Sequence, residues 1–371
     1  MSQTPLLDCE QPLPARRVPW VRAILGGVVL AAFLIALDRA QGPRGPLSLL
    51  QSSPILLLPA FYVAVFIHEL GHLVAARIAE FELRAFLVGV FLFNKENTRW
   101  RFRFVPRYVL FGGYTVAMPR TPESLLNRYR NFILGGPLAS YCLLLLTSLL
   151  PAGPFVRILF WINLLLAILA TVPRTTATLP NDTKLLLLLK RKGPVAERIV
   201  ALIHLAALDA QGKRPPELPR ELIQAIAVET QDISRLPQAF TFLLSDAADR
   251  EDFAQMAQIL ERAFTISDRL LPELKRGFMA SAASYHGFHK QNASLAQEWL
   301  SRARSVKGPK PQDDWDAQAL AAIRYAEGEN HQAAQFLIRY VALLERQPLS
   351  GMVLAERDRT LKLMNALTES V

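Results

Sequence analysis

The run Pro54–Ala79, PILLLPAFYVAVFIHELGHLVAARIA, constrains this chain more than any other stretch. A helix of that length and composition belongs in a bilayer, because about 20 residues at about 1.5 Å each cross a hydrocarbon core of about 30 Å. Three ionisable residues interrupt it: His68, Glu69 and His72. Such groups are costly in lipid unless a metal ion or a charged partner compensates them. His68 and His72 stand one helical turn apart and face the same way, the spacing two imidazoles need to share one Zn²⁺. Glu69 projects beside them, where it can take a proton from a water that zinc activates. The pattern points to a metal-dependent hydrolase that works within the membrane.

Four segments approach or exceed spanning length: Val18–Leu37, Pro54–Ala79, Phe132–Leu150 and Phe155–Val172. The last two are separated by Pro151-Ala152-Gly153-Pro154, a turn that makes them antiparallel neighbours. Orientation follows from Lys and Arg in the loops. Arg16 and Arg17 precede the first span, nine Arg and Lys residues fall between Glu80 and Asn131, and Arg174, Lys184, Lys190, Arg191 and Lys192 follow the fourth. The loop between the first two spans holds only Arg39 and Arg44. An in–out–in–out–in path puts all three richer segments, and both termini, in the cytoplasm. His72 then lies about 10 Å from the cytoplasmic end of its helix, within reach of water.

The chain has 371 residues and a formal net charge of +10. Much of that excess sits beside apolar runs, so it reads as membrane orientation and not as nucleic-acid binding. Cys9 and Cys142 are the two cysteines and imply no disulfide framework. No secretory signal peptide follows Met1, and residues 1–17 read as a disordered cytoplasmic tail.

Two histidines leave a zinc site incomplete, since a hydrolytic site takes three protein ligands and leaves the fourth position open. Asp182 emerges on the cytoplasmic side just past the fourth span. Its local context fits a helix N-cap and a metal ligand equally well.

At this point the sequence resembles the site-2 protease family of intramembrane zinc metalloproteases, over roughly residues 50–200. His68-Glu69-Leu70-Gly71-His72 is similar to the family's HExxH on a membrane helix. Gly112-Gly113-Tyr114 resembles the GGY that closes a β-rich membrane-associated loop, and Gly135-Gly136-Pro137-Leu138-Ala139-Ser140 resembles the element that opens the next span. Val172-Pro173 with Asn181-Asp182 is similar to NxxP…DG, whose Asp is the third zinc ligand. The resemblance implies one Zn²⁺ per chain held by His68, His72 and Asp182, with Glu69 as general base. It also implies a single-span membrane protein as substrate. Ala170 stands where the family has Asn, and Thr183 where it has Gly. Those departures keep a second reading open, a catalytically weak or inactive membrane adaptor.

Thr98–Phe104 alternates Arg99, Arg101 and Arg103 with Trp100, Phe102 and Phe104, the period of a strand. With Phe86–Phe93, broken at Gly89, it forms an expected hairpin at the membrane surface. Such a hairpin reads either as an edge for β-addition to an unwound substrate or as a surface element that only anchors the fold. Gly135, Gly136 and Ser140 read as small residues that let helices approach.

From Gly193 the sequence turns soluble and helical. Ser245–Phe264, Ala283–Arg304 and Ile323–Val341 each read as helix, polar turn and helix, with Ala257, Ala296 and Ala334 recurring at intervals of 39 and 38 residues. Tyr325–Ala334 resembles half of a tetratricopeptide repeat, so residues 193–371 are expected to form a cytoplasmic solenoid that offers a surface to a protein partner. His204 reads as a packed histidine, and His286 and His289 as surface histidines at a hairpin turn. The expected whole is a mainly α polytopic protein of a cell membrane, bacterial by its features, with a disordered tail (1–17), a membrane metalloprotease domain (18–192) and the solenoid. Lipid and a membrane-protein substrate are its partners, and nucleic acid is not.

Overall fold

Among the described residues three helices are long and apolar enough to cross a membrane: α1 (Leu57–Ile78, entered through a 3₁₀ turn at Pro54–Leu56), α2 (Leu125–Leu149) and α3 (Pro154–Thr171). The computed structural model describes residue 7 and residues 54–96, 99–105, 112–121, 123–151, 153–176, 179–228, 235–308 and 314–369. The expected span Val18–Leu37 and the bulk of the expected tail lie outside the described residues. The described residues form two units, a membrane unit that ends at Lys192 and a helical unit from Gly193 onward that also includes Leu7.

The membrane helices turn their polar groups inward. Glu69, His72, Ser140, Thr147 and Asn163 are buried, while Ile55, Ile78, Leu145 and Leu149 are exposed. That inversion suits a lipid surround, where apolar side chains face outward and ionisable ones face other helices. Ala60, Ala64, Leu143, Ile158 and Leu159 fill the small apolar centre between α1, α2 and α3.

α1 and α2 meet backbone to backbone. A Cβ on Gly71 would lie 2.2 Å from the carbonyl oxygen of Gly135, and one on Gly135 would lie 2.3 Å from that of Gly71. Only hydrogen fits at either position, so both glycines are needed for the crossing. Arg128 then closes the C-terminal end of α1, its Nε donating to the Ala79 carbonyl at 2.8 Å and its guanidinium lying over the Phe81 ring.

Between α1 and α2 lies a four-stranded antiparallel sheet, β1 (Phe81–Val88), β2 (Phe91–Glu96), β3 (Arg99–Phe104) and β4 (Gly113–Pro119), in the order β3-β2-β1-β4. This replaces the single expected hairpin. The run Phe86–Phe93 is two strands, because the chain reverses at Gly89, whose φ of +55° glycine tolerates and whose missing side chain makes room for the Tyr62 ring. Gly89 N–H donates to Gly112 C=O at 2.7 Å, which brings the Gly-Gly-Tyr segment in as β4. β2 and β3 pair Phe93 with Phe102 and Phe91 with Phe104, so their aromatic rings share a face.

The helical unit runs α5 (Pro194–Ala210), α6 (Arg220–Ala227), α7 (Leu236–Asp249), α8 (Phe253–Thr265), α9 (Pro272–Phe288), α10 (Ala293–Ser305), α11 (Ala317–Ala326), α12 (Asn330–Glu345) and α13 (Gly351–Glu369). The last helix of the membrane unit is α4 (Asp182–Arg191). The three expected helical pairs appear as α7–α8, α9–α10 and α11–α12. Each turns at a residue of positive φ, namely Glu251, Gln291 and Gly328. Asp252 and Asn292 then cap the second helix by accepting from Gln255 N and Leu295 N. His286 departs from expectation. It is 1% exposed and belongs to the interior, whereas His289 stacks on Phe253 with ring centroids 3.7 Å apart.

Candidate metal centre

Helical spacing alone brings His68 and His72 together on α1, with ring centroids 5.0 Å apart. The longer-range geometry adds Asp182. Its Oδ2 lies 3.2 Å from His68 Nε2 and 3.5 Å from His72 Nε2, and one donor atom from each of the three residues falls within 4.8 Å of the others. Ligands on a tetrahedral zinc at about 2.0–2.1 Å stand about 3.3 Å apart, so these separations fit a shared ion.

The hydrogen bonds around the imidazoles constrain what can sit between them. His72 Nδ1 lies 2.9 Å from the Phe132 carbonyl, which can only accept, so Nδ1 carries the proton. In the neutral ring, Nε2 then presents a lone pair to a carboxylate oxygen. Two acceptors at that range need a positive charge between them, either a further proton or a metal ion. The Ser140 hydroxyl, which can donate or accept, lies 2.9 Å from His68 Nδ1 and holds that ring in place. Burial raises the Asp182 carboxyl, but the two imidazoles beside it outweigh this and hold it well below the usual carboxylate range.

Asp182 does not cap its own helix. Asn181 does, accepting from Lys184 N at 3.1 Å, and its amide donates to the carbonyls of Leu169, Ala170 and Val172 at the end of α3. One side chain thus ties the last turn of α3 to the first turn of α4. Asp182, the next residue, is left to face the histidines.

Glu69 is 5% exposed, and Thr115 on β4 donates to its Oε2 at 2.7 Å. A Cβ on Gly113 would come 2.6 Å from Glu69 Cγ, so the Gly-Gly-Tyr segment lets β4 lie directly against the carboxylate. A Cβ on Gly136 would lie 2.2 Å from His72 Nε2, so the second glycine of the Gly-Gly-Pro element seats α2 against the donor atom.

Several of these residues escaped the sequence reading. Ser140 holds a histidine in addition to packing, and Thr115 and Phe132 drew no notice. Asn163, wholly buried in α3, donates to the Ser140 carbonyl at 2.8 Å. Its signal was present, since an amide in an apolar span is expensive.

No curated protein and no solved structure matches the chain. The model of peptidase family M50 matches residues 56–287, more than half of the 371. With its apolar helices and its His-Glu-x-x-His helix, the chain belongs to peptidase family M50, the site-2 protease family.

Proposed function

We propose that this protein is a zinc-dependent endopeptidase that cuts membrane proteins within or near a transmembrane helix. The convergence of two imidazole Nε2 atoms on one Asp182 oxygen is the observation that supports this most strongly. His68, His72 and Asp182 would hold the ion, a nitrogen and oxygen donor set with room for a fourth position. Bound zinc supplies a Lewis acid for the scissile carbonyl and acidifies water. Glu69 would accept the proton of the attacking water and pass it to the amine nitrogen as the C–N bond breaks. Thr115 would fix the carboxylate for that transfer through its bond to Oε2.

A substrate helix must unwind before its carbonyls can be attacked. Among the described residues β4 is the sheet edge beside Glu69, and the extended segment would join it by strand addition. The proposed topology has four spans in a bacterial cell membrane and both termini in the cytoplasm. Residues 18–192 would be the protease domain, preceded by the tail 1–17. Residues 193–371 would stack their helical pairs as a tetratricopeptide-like solenoid for a protein partner.

Metal analysis tests the ligand set. After chelation and reloading, wild type is expected to retain one zinc per chain and Asp182→Ala less than roughly a tenth of that. Equal retention would remove Asp182 from the site, and failure of both to hold zinc would end the protease reading. Ser140→Ala should weaken zinc binding by about 10–100-fold, because His68 loses the partner that orients it. Competition with a chelator of known affinity measures this, and unchanged retention would reduce Ser140 to packing.

A further inference from the structure

Leu7 lies far from the helical unit in sequence, yet it is buried within it, 2% exposed and part of the same apolar core as Phe240, Leu260, Phe264, Phe278 and Leu300. Its backbone is held on both sides. Leu7 N–H donates to Glu261 Oε2 at 2.7 Å, and Leu7 C=O accepts from Trp299 Nε1 and His286 Nε2, each at 3.0 Å.

Three consecutive helices supply these groups: Glu261 from α8, His286 from α9 and Trp299 from α10. Trp299 and His286 are essentially inaccessible to solvent. Their N–H groups are directed at a main-chain carbonyl that α8, α9 and α10 do not themselves provide. Trp299 is rigid as well, stacked on Phe264 at 4.5 Å and covered by the Arg302 guanidinium.

A donor pair, an acceptor and an apolar hole, set one peptide unit apart, form a reader for a main chain carrying leucine. Packing alone would need only the hole. Burying two N–H donors in an apolar core disfavours the folded unit unless a carbonyl meets them.

We infer that the helical unit contains a peptide-recognition site selective for leucine, and that the chain's own N-terminal segment occupies it through Leu7 as an intramolecular latch. The ligand class is a peptide segment with a leucine side chain and free flanking N–H and C=O groups. The tether gives the latch its advantage, since a linked segment competes at an effective concentration that a free peptide must match.

The test uses the full-length chain in detergent micelles and a fluorescent peptide of residues 2–12 with Cys9→Ser. Leu7→Asp opens the site, and this variant is expected to bind the peptide saturably, one per chain. Wild type should bind it at least about tenfold more weakly, because its own segment competes. The same peptide with Leu7→Ser should not bind. Glu261→Gln in the Leu7→Asp chain should weaken binding by about threefold to tenfold, as a charge-assisted bond becomes a neutral one. Equal binding by wild type and Leu7→Asp, binding by neither, or equal binding of the serine peptide would each overturn the inference. Should Leu7→Asp fail to fold, Leu6→p-benzoylphenylalanine in the otherwise unchanged chain decides the matter. Photo-adducts within residues 253–305 of the same chain support the latch, and adducts confined elsewhere refute it.

Discussion

Glu69→Gln is expected to leave zinc bound and to abolish cleavage of a single-span substrate in micelles, with a rate loss of about 10²–10⁴-fold. Neither imidazole depends on the carboxylate for orientation, because His68 is held by Ser140 and His72 by the Phe132 carbonyl. The amide keeps the shape of the side chain and can still meet the Thr115 hydroxyl. What it cannot do is accept the proton of the attacking water. Zinc content by atomic absorption and cleavage rate, measured on the same preparation, separate these effects. Retained zinc with undiminished cleavage would remove Glu69 from the reaction, and lost zinc would mean that the carboxylate supports the metal site instead.

A single methyl group on α2 should do comparable damage without replacing any proposed ligand. In Gly136→Ala the new carbon would lie 2.2 Å from His72 Nε2 and 2.7 Å from two other ring atoms. Relief requires the ring to turn away from the Phe132 carbonyl or α2 to withdraw from α1. Withdrawal is resisted, because the two helices touch backbone to backbone at Gly71 and Gly135. Zinc affinity is therefore expected to fall by at least about 100-fold, the upper range for disturbing a ligand's support. Gly153→Ala is the matched control, since a Cβ there meets nothing within 4 Å. It should keep both zinc and thermal stability, and a Gly136→Ala chain that binds zinc like wild type would show that α2 has more freedom than this crossing implies.

What could be read from the sequence was local. The apolar lengths mark α1, α2 and α3 to within a few residues except at the start of α2. That helix begins at Leu125, because its first turns carry Arg128 and Arg130 and so fall below any apolar threshold. Helix periodicity puts His68 and His72 on one face, and polar turns mark the three helical pairs. What could not be read was pairing at a distance. Thr115 finds Glu69 across 46 positions and Ser140 finds His68 across 72, and no periodicity encodes either. Gly89 looked like a flaw in one strand because the Tyr62 ring that occupies its missing side chain belongs to α1. Asp182 read equally well as a cap and as a ligand. The distinction lies at a distance: the carbonyls of Leu169, Ala170 and Val172 and the N–H groups of Arg174 and Lys184 engage Asn181, which leaves Asp182 to the imidazoles. His286 looked superficial because its partner is Leu7.

The seat of Leu7 also bears on arithmetic. A chain that leaves one face of a membrane and returns to it crosses an even number of times. Leu7 lies inside the unit that begins at Gly193, and on the proposed topology residues 7 and 193 share the cytoplasmic face. Three membrane-length helices lie between them among the described residues, and three is odd. The proposed fourth span, drawn from the apolar run Val18–Leu37, restores parity. On the proposed topology, the seat of one leucine therefore goes with an even number of passages through the bilayer.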